Sequence, residues 1–195
     1  MSVSESSKFR QINEIEKKII FQSFSNISPN LVEFIRKSKN FLYISLKDLN
    51  SRKVYPKIYL VSNHLLKKIN LIDLNSKISS IGLYFGFIKK GKFYLSLEGA
   101  EFLYREGIFS GFKYIQVNDG GEKSVLYGNN ILKSMVNELS SNLRKGDFLL
   151  IFNNTNEILA IAQSKVDCSI IDTLKLNSII AVNLSDKGVY LRENQ

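Results

Sequence analysis

The sequence contains one cysteine, one histidine, two prolines and no tryptophan among its 195 residues. Cys168 has no partner within the chain for a disulfide, and one cysteine with one histidine excludes the common zinc sites built only from these residue types. The longest uninterrupted apolar runs, such as residues 148–152, are far shorter than the roughly 20 residues that span a bilayer. The N-terminal residues include no apolar segment of the signal-sequence type. We therefore expect a soluble cytosolic or nuclear protein without metal, cofactor or membrane partner.

The usual parts of an enzyme active site are also missing. The chain has no glycine-rich phosphate loop, and His64 is most simply a solvated side chain near a predicted helix start. Cys168 is more typical of a small buried residue than of a nucleophile. Glu98 and Glu101 fit the start of a helix, where the helix dipole favours carboxylates. We predict that the protein has no catalytic residues and is not an enzyme.

Acidic residues are few relative to basic ones. The chain carries 27 Lys and Arg against 18 Asp and Glu, which gives a formal net charge of +9 and a pI near 9.5. This balance favours a polyanionic partner, because Lys and Arg gain affinity by releasing counterions from phosphates. The excess lies in one half, since residues 1–110 carry 18 basic and 9 acidic residues whereas residues 111–195 carry 9 of each. The asymmetry predicts two domains, residues 1–110 and 111–195.

Helical patterns appear at three places before residue 75. Apolar residues recur at helical spacing within residues 9–24, which predicts an amphipathic first helix. Ser28 is the predicted N-cap of a short second helix. Ser62 is the predicted cap of a third, whose apolar side extends to Ile69 and, on the widest reading, to Ile72.

Strand patterns alternate with these helices. Residues 41–46 and 54–61 are rich in β-favouring side chains and predict paired strands. Pro56 cannot donate a ladder hydrogen bond, so the second strand lies at an edge or begins near Lys57. Residues 82–107 predict a strand, a turn, a second strand and a helix that a glycine stops. The first half is therefore predicted to be an α/β domain with a mostly antiparallel sheet.

The turn between the last two of these strands displays Lys89, Lys90 and Lys92 together. On one interpretation the three lysines are a solvated hairpin tip. On the other they contact phosphates beside neighbouring aromatic side chains. We expect most of these aromatic side chains to lie in the core. The five neighbouring aromatic residues are Tyr84, Phe85, Phe87, Phe93 and Tyr94.

Short strands dominate the second half. The predicted strands are KYIQV, NILKSMV, FLLIF, ILAIA, SIIAVNL and GVYLR. A loop over residues 118–123 and a brief helix ending at Gly128 separate the first two. Many short strands at close spacing predict a compact β-barrel or sandwich, and the whole chain is assigned to the α+β class.

The order of these elements resembles the PUA domain, a small β pseudobarrel found in many RNA-modifying and ribosome-assembly proteins. The matching features are the strand at residues 114–117, the helix closing in LYG, the strand ILKSMV, the segment GDFLLIFNNTNEILAIAQS and a final pair of strands. Two longer segments carry a wider resemblance: GLYFGFIKKGKFYLSL in the first half and GEKSVLYGNNILKSMV in the second half. Through them, nearly the full chain resembles the large-subunit ribosome-assembly factor family known as nuclear import protein seven.

This resemblance implies a non-enzymatic RNA-binding factor that acts in large-subunit assembly. The implied partners are precursor rRNA or U-rich single strands, the pre-large-subunit particle and other assembly factors. The implied location is cytoplasmic in an archaeon and nucleolar or nuclear in a eukaryote. We expect a monomer, since the sequence has no oligomeric signature.

The RNA-binding residues are expected around the LYGN segment. Gly128 lacks a Cβ and lets the backbone approach a sugar-phosphate chain, while Asn129 and Asn130 offer polar contacts beside it. Tyr127 either stacks on an unpaired base or is a core aromatic. The remaining candidates in this half are lysines: Lys123, Lys133, Lys165 and Lys175.

Two departures from the PUA pattern lead to a hypothesis about affinity. Ala160 and Ala162 replace glycines usual in the strand ILAIA, which leaves less room for RNA there, and basic residues after this strand are few. The second half is also formally neutral. We therefore expect most of the salt-dependent affinity to come from the first half.

Two alternatives remain open. PUA domains are often attached to RNA-modifying enzymes, so the chain is alternatively an RNA-targeting subunit of an rRNA or tRNA modification enzyme. A protein-only adaptor within an assembling particle is the third possibility, and it predicts no measurable binding to naked RNA at moderate salt.

Overall fold

A computed structural model describes residues 9–25, 27, 29–37, 40–46, 55–69, 80–108 and 112–192. The chain divides into two compact units, Met1–Ile108 and Phe109–Gln195. Within the described ranges, no helix is long and apolar enough to cross a membrane.

The N-terminal unit alternates strands with helices. Its elements are β1 (Phe9–Gln11), α1 (Glu14–Ser25), α2 (Pro29–Lys37), β2 (Asn40–Ser45), β3 (Lys57–Ser62), α3 (Asn63–Ile69), β4 (Leu83–Lys89), β5 (Lys92–Leu95) and α4 (Leu97–Arg105). The strands form one antiparallel sheet in the order β1-β2-β3-β4-β5. The predicted α/β domain with an antiparallel sheet is confirmed.

One detail of this unit differs from expectation, and one open alternative is decided. Phe9 lies in β1 and is paired with Ser45, so the first helix begins only at Glu14. β3 begins at Lys57 and lies in the middle of the sheet, which confirms the second of the two predicted alternatives. Pro56 precedes the ladder and leaves it intact. The possible extension of the third helix to Ile72 lies outside the described residues.

A β-bulge in β4 divides the aromatic side chains between the two faces of the sheet. The register with β3 shifts between Ile58 and Tyr59, opposite Gly86, whose φ of +153° suits glycine. Phe85 consequently faces the helices, where Phe24 of α1 packs edge-on against it at 5.8 Å between centroids. Tyr84 faces the other side and joins a small cluster under α3.

The C-terminal unit consists mainly of short strands. Its elements are β6 (Tyr114–Val117), α5 (Asp119–Leu126), β7 (Ile131–Leu132), a 3₁₀ turn (Lys133–Met135), β8 (Val136–Leu139), β9 (Phe148–Phe152), β10 (Ile158–Ser164), a second 3₁₀ segment (Cys168–Thr173), β11 (Ile179–Asp186) and α6 (Val189–Arg192). The sheet order is β7-β11-β10-β9-β6-β8, with β6 and β9 parallel and the other pairs antiparallel.

The two edge strands of this sheet are consecutive in the chain. β7 and β8 are separated only by the 3₁₀ turn Lys133–Met135, so this turn draws the two edges of the sheet together. Such closure protects edge strands and produces the predicted pseudobarrel. The interior is apolar, and Ile115, Val125 and Ile180 are fully buried there.

Three sequence-based assignments in this unit are wrong. NILKSMV was expected as one strand and is instead two strands joined by the 3₁₀ turn. The expected loop at residues 118–123 is mostly helical, because Asn118 caps α5 by accepting a hydrogen bond from the Gly121 N–H at 2.8 Å. GVYLR contains the short helix α6 rather than a strand.

Ala160 and Ala162 do not face solvent. Both are fully buried in the core of the C-terminal unit, where β10 is covered on both faces. The expectation that their methyl groups narrow an RNA-binding surface is therefore wrong. The absence of glycine at these positions is a matter of core packing.

Candidate RNA-binding surface

The LYGN segment is the C-terminal cap of α5. The N–H of Gly128 donates to the carbonyl oxygen of Val125 at 2.8 Å, and the N–H of Asn129 donates to that of Ser124 at 3.1 Å. With Gly128 at a φ of +86°, this is a Schellman motif, which requires glycine at the left-handed position. The conformation places Tyr127 and Asn129 on the surface, both exposed.

Gly128 lies against the guanidinium of Arg192. A Cβ at Gly128 would lie 3.1 Å from a terminal nitrogen of the Arg192 guanidinium, so this side of the residue is already occupied. The Arg192 guanidinium also forms a two-pronged ion pair with the buried carboxylate of Asp186, with both N–O distances 3.0 Å. That hydrogen bonding raises the pKa of Arg192. RNA approach at Gly128 stays a prediction.

The Arg192 guanidinium also donates to the carbonyl oxygen of Leu126, one of the last carbonyls of α5. The chain passes so close to this oxygen at Gly188 that a Cβ there would lie 1.8 Å from it. The turn before α6, together with Arg192, therefore fixes the end of α5. Tyr127 and its neighbours are presented on a rigid support rather than on a loose loop.

Asn183 connects this cap to β11. Its Nδ2 donates to the carbonyl oxygens of Val125 and Asn129 at 3.1 and 3.3 Å, and its backbone N–H donates to Oδ1 of Asn130 at 3.2 Å. Asn130 is thus bound within the protein through its side-chain oxygen. Sequence reasoning missed Asn183, because no local pattern marks a residue that is 53 positions away from its partner.

Tyr127 is 75% exposed, the largest exposed fraction among the large hydrophobic side chains of the described residues. The core alternative for this side chain is therefore wrong. Lys123 lies one helical turn earlier on α5, is exposed, and has no acidic partner among the residues described. An exposed tyrosine beside an unpaired lysine offers a ring for a base and a charge for a phosphate.

Lys133 is bound within the protein. Its ammonium donates to the carbonyl oxygens of Asp172 and Leu174, both at 2.8 Å, and so ties the end of the second 3₁₀ segment to the turn between β7 and β8. One of the three ammonium donors is left for a ligand. Contact of Lys133 with RNA stays a prediction.

We expect Lys133→Ala to lower the free energy of unfolding by about 1–2 kcal/mol, because hydrogen bonds of a charged donor contribute about 1.5–3 kcal/mol and solvent replaces part of them. Urea denaturation measures this loss. Lys123→Ala, at an exposed helical position, is the matched control and should change stability by less than about 0.5 kcal/mol. Equal stability of the two variants would contradict the bracing role of Lys133.

Lys165 and Lys175 lie in a part of the chain that also exposes large apolar side chains, which sequence reasoning did not identify. Both lysines are exposed, and three large apolar side chains from the second 3₁₀ segment to the start of β11 are exposed as well. These side chains are Ile170, Leu176 and Ile179, which are 44%, 68% and 44% exposed. The Lys165 N–H donates to the carbonyl oxygen of Ile180, which holds the backbone of Lys165 beside β11.

The three remaining candidates lie on the β4–β5 hairpin of the N-terminal unit. Lys89 pairs with Lys92 across the hairpin, and the two turn residues Lys90 and Gly91 have φ values of +49° and +70°. This is the type I′ geometry of two-residue hairpins. Lys90 and Lys92 are exposed, and neither has an acidic partner in the described part of the chain. The ammonium of Lys89 lies 4.8 Å from the ring centroid of Tyr55.

The residues considered as possible catalytic groups lie on several different elements. His64 is an exposed residue of α3, Cys168 is half-buried at the start of the second 3₁₀ segment, and Glu98 and Glu101 lie on α4. In the ranges that the structure describes, no group of three or more His, Cys, Asp or Glu is arranged to hold a metal ion.

Comparison with solved structures supports the architecture. A hypothetical protein of the hyperthermophilic archaeon Pyrococcus horikoshii superposes with a TM-score of 0.63 at 13% identity, over 95% of this chain and 98% of that one. A conserved PUA domain protein from Thermoplasma acidophilum gives 0.57 at 15% identity, with the same coverage. At these identities the similarity shows the fold: two domains, the second of PUA type.

Sequence comparison identifies the family. The chain is 24% identical over 185 residues to the 60S ribosome subunit biogenesis protein NIP7 of Saccharomyces cerevisiae, covering 94% of this chain and 96% of that protein. It is 27% identical over 188 residues to the NIP7 homolog of Tetraodon nigroviridis, with the same coverage. Residues 9–97 match the NIP7/UPF0113 pre-PUA domain and residues 113–195 match the UPF0113 PUA domain. The chain therefore belongs to the NIP7/UPF0113 family.

Proposed function

We propose that this protein is a non-enzymatic RNA-binding factor in the assembly of the large ribosomal subunit. The observation that carries the proposal is that both units match one family, whose relatives along nearly the whole chain are 60S ribosome subunit biogenesis proteins. The PUA domain and the basic first half both fit an RNA ligand, because Lys90, Lys92 and Lys123 have no acidic partner among the described residues and are available for phosphates.

Within the C-terminal unit, the ligand is precursor rRNA or a U-rich single strand bound at the end of α5. Tyr127 stacks on an unpaired base, and Lys123 contacts the phosphate next to it. Asn129 and Asn130 supply amide groups beside the ring, and Gly128 brings the backbone to the surface. Lys133, Lys165 and Lys175 add positive charge at the turn before β8 and at the connection into β11.

The proposed partners are the pre-large-subunit particle and its other assembly factors. The protein acts as a monomer that binds to this particle. In a eukaryotic cell it is located in the nucleolus or nucleus, and in an archaeal cell it is located in the cytoplasm.

Crosslinking the protein to RNA in its own cells and sequencing the bound fragments tests the proposal. We expect the fragments to be enriched in precursor rRNA of the large subunit over tRNA and messenger RNA. A Tyr127→Ala variant should lose part of this enrichment, while a Tyr104→Ala variant serves as control for a tyrosine that is 43% exposed on α4. Enrichment in tRNA or messenger RNA alone would overturn the proposal.

The alternative function is that of an RNA-targeting subunit of a modification enzyme, because PUA domains are often attached to such enzymes. Incubation of the protein with ribosomal and transfer RNA, followed by mass spectrometry of the nucleosides, separates the two functions. We expect no modified nucleoside beyond those in untreated RNA. A new modification would replace the proposed function with an enzymatic one.

A further inference from the structure

Three aromatic rings form a row on one face of the N-terminal sheet. The ring of Phe87 lies 5.2 Å from that of Tyr94, with the planes at 11°, and 5.8 Å from that of Tyr55, with the planes at 26°. Near-parallel rings at such separations are typical of offset stacking. Tyr55, Phe87 and Tyr94 are called the aromatic row below.

The aromatic row has a free end at Tyr94. β5 is the edge strand of the sheet, and the side chain of Tyr94 is 41% exposed. Among the described residues, Phe87 is the one ring that contacts Tyr94. A further flat ring can therefore approach Tyr94 without displacing a side chain of the row.

The face that holds the aromatic row is basic. Lys57 pairs with Phe87 across β3 and β4, and the Lys89–Lys92 pair lies two residues from the Phe87–Tyr94 pair, hence on the same face. The five strands of this sheet contain no Asp or Glu. An exposed tyrosine ring beside lysines that have no acidic partner among the described residues matches a ligand that has flat bases and a phosphate backbone.

We propose that the aromatic row binds single-stranded RNA by base stacking. A nucleobase stacks on the free end at Tyr94, and Lys89 and Lys92 hold the adjacent phosphates. Single strands are favoured because the bases of a duplex are already stacked on one another and present no free face. The inference rests on the proposed RNA binding of the protein and adds its site on the N-terminal unit and the strandedness of the ligand.

A single tryptophan gives a direct readout, because the natural chain has none. Tyr94→Trp in the full-length protein retains a ring at the free end and reports a stacked base as quenched fluorescence. We expect an oligouridine or oligoadenine of ten nucleotides to quench Tyr94→Trp strongly. Tyr104→Trp, at a similarly exposed site on α4, should stay unquenched, and an RNA duplex should quench neither variant.

Affinity provides the second readout, measured as fluorescence anisotropy of the labelled single strand. Tyr94→Ala should weaken binding by roughly 5- to 100-fold, as expected for loss of one stacked base, while Tyr94→Phe should stay within about 2-fold of the natural protein. Thermal unfolding of both variants checks that the sheet is intact.

The outcomes separate this inference from the proposed function. If the natural protein binds the single strand but Tyr94→Trp is not quenched and Tyr94→Phe and Tyr94→Ala bind equally well, the aromatic row is not the site and RNA binding stands. If the natural protein binds no RNA at all, the proposed function fails and the inference fails with it.

Discussion

Gly188→Ala is expected to destabilise the C-terminal unit by about 3–4 kcal/mol. The added Cβ would lie 1.8 Å from the carbonyl oxygen of Leu126, a backbone atom that cannot move without displacing the end of α5. The turn must then separate from α5, which breaks the hydrogen bond from Arg192 to Leu126 and loosens the ion pair with buried Asp186. Forcing a side-chain atom against a backbone carbonyl, and disturbing an ion pair whose carboxylate is buried, both belong to the costly class of single substitutions.

Hydrogen exchange with mass spectrometry locates the effect. Peptides from α5 and from β11 should lose protection in Gly188→Ala, while those from the N-terminal unit should not. Gly120→Ala is the control, because a Cβ at Gly120 would meet only Oδ1 of Asn118, at 3.4 Å, and alanine is the better helix former. Unchanged protection in Gly188→Ala would show that α5 is not held by the turn before α6.

Removing the three hairpin lysines is expected to weaken RNA binding most at low salt. The variant combines Lys89→Ala and Lys92→Ala with Lys90→Asn, because asparagine suits the positive φ of +49° in the type I′ turn. If each lysine neutralises one phosphate of a single strand, the slope of log K against log salt becomes less negative by about 2. Affinity at low salt should fall by about 10- to 100-fold.

A matched triple variant in the C-terminal unit distinguishes the contributions of the two units to RNA affinity. Lys123→Ala, Lys165→Ala and Lys175→Ala remove the same charge from the formally neutral C-terminal unit. We expect this triple variant to change the salt slope less than the hairpin variant, because the net positive charge of +9 lies in residues 1–110. An unchanged slope in the hairpin variant, or a larger change in the C-terminal variant, would contradict the hypothesis about affinity.

The sequence predicts those elements whose structure is decided locally. The β4–β5 hairpin follows from a two-residue Lys-Gly turn between β-favouring runs, and the Schellman cap at Gly128 follows from a glycine after a short helical pattern. Ser96 accepts a hydrogen bond from the Gly99 N–H and so begins α4 where the pattern predicts a helix.

Sequence-based prediction fails for elements whose conformation depends on contacts with residues far along the chain. The segment Asn-Asp-Gly-Gly is typical of a loop, yet Gly121 is helical, and a Cβ there would lie 2.8 Å from that of Met135. Packing against a residue 14 positions away therefore requires a glycine that local propensity disfavours in a helix. The strand-like GVYLR is likewise helical beside the ion pair between Arg192 and Asp186.

In the candidate site, too, the sequence predicts features that local residues decide and misses those that distant contacts decide. Sequence spacing identifies Lys89, Lys90 and Lys92, but it places most of the nearby aromatic side chains in the core. The bulge at Gly86 buries Phe85 on one face and leaves Phe87 and Tyr94 on the other, and no local pattern reports which rings the helices cover. Exposure of Tyr127 and the internal bonds of Lys133 also depend on residues far along the chain.

Equilibrium binding of the natural protein to a naked U-rich single-stranded RNA tests the central claim most directly. Fluorescence anisotropy of a labelled oligouridine is followed across salt concentrations from about 50 to 200 mM, a range over which phosphate contacts change affinity strongly. The account predicts saturable binding with an affinity that falls steadily as salt rises. Absence of measurable binding at about 50–100 mM salt would contradict it and favour a protein-only adaptor.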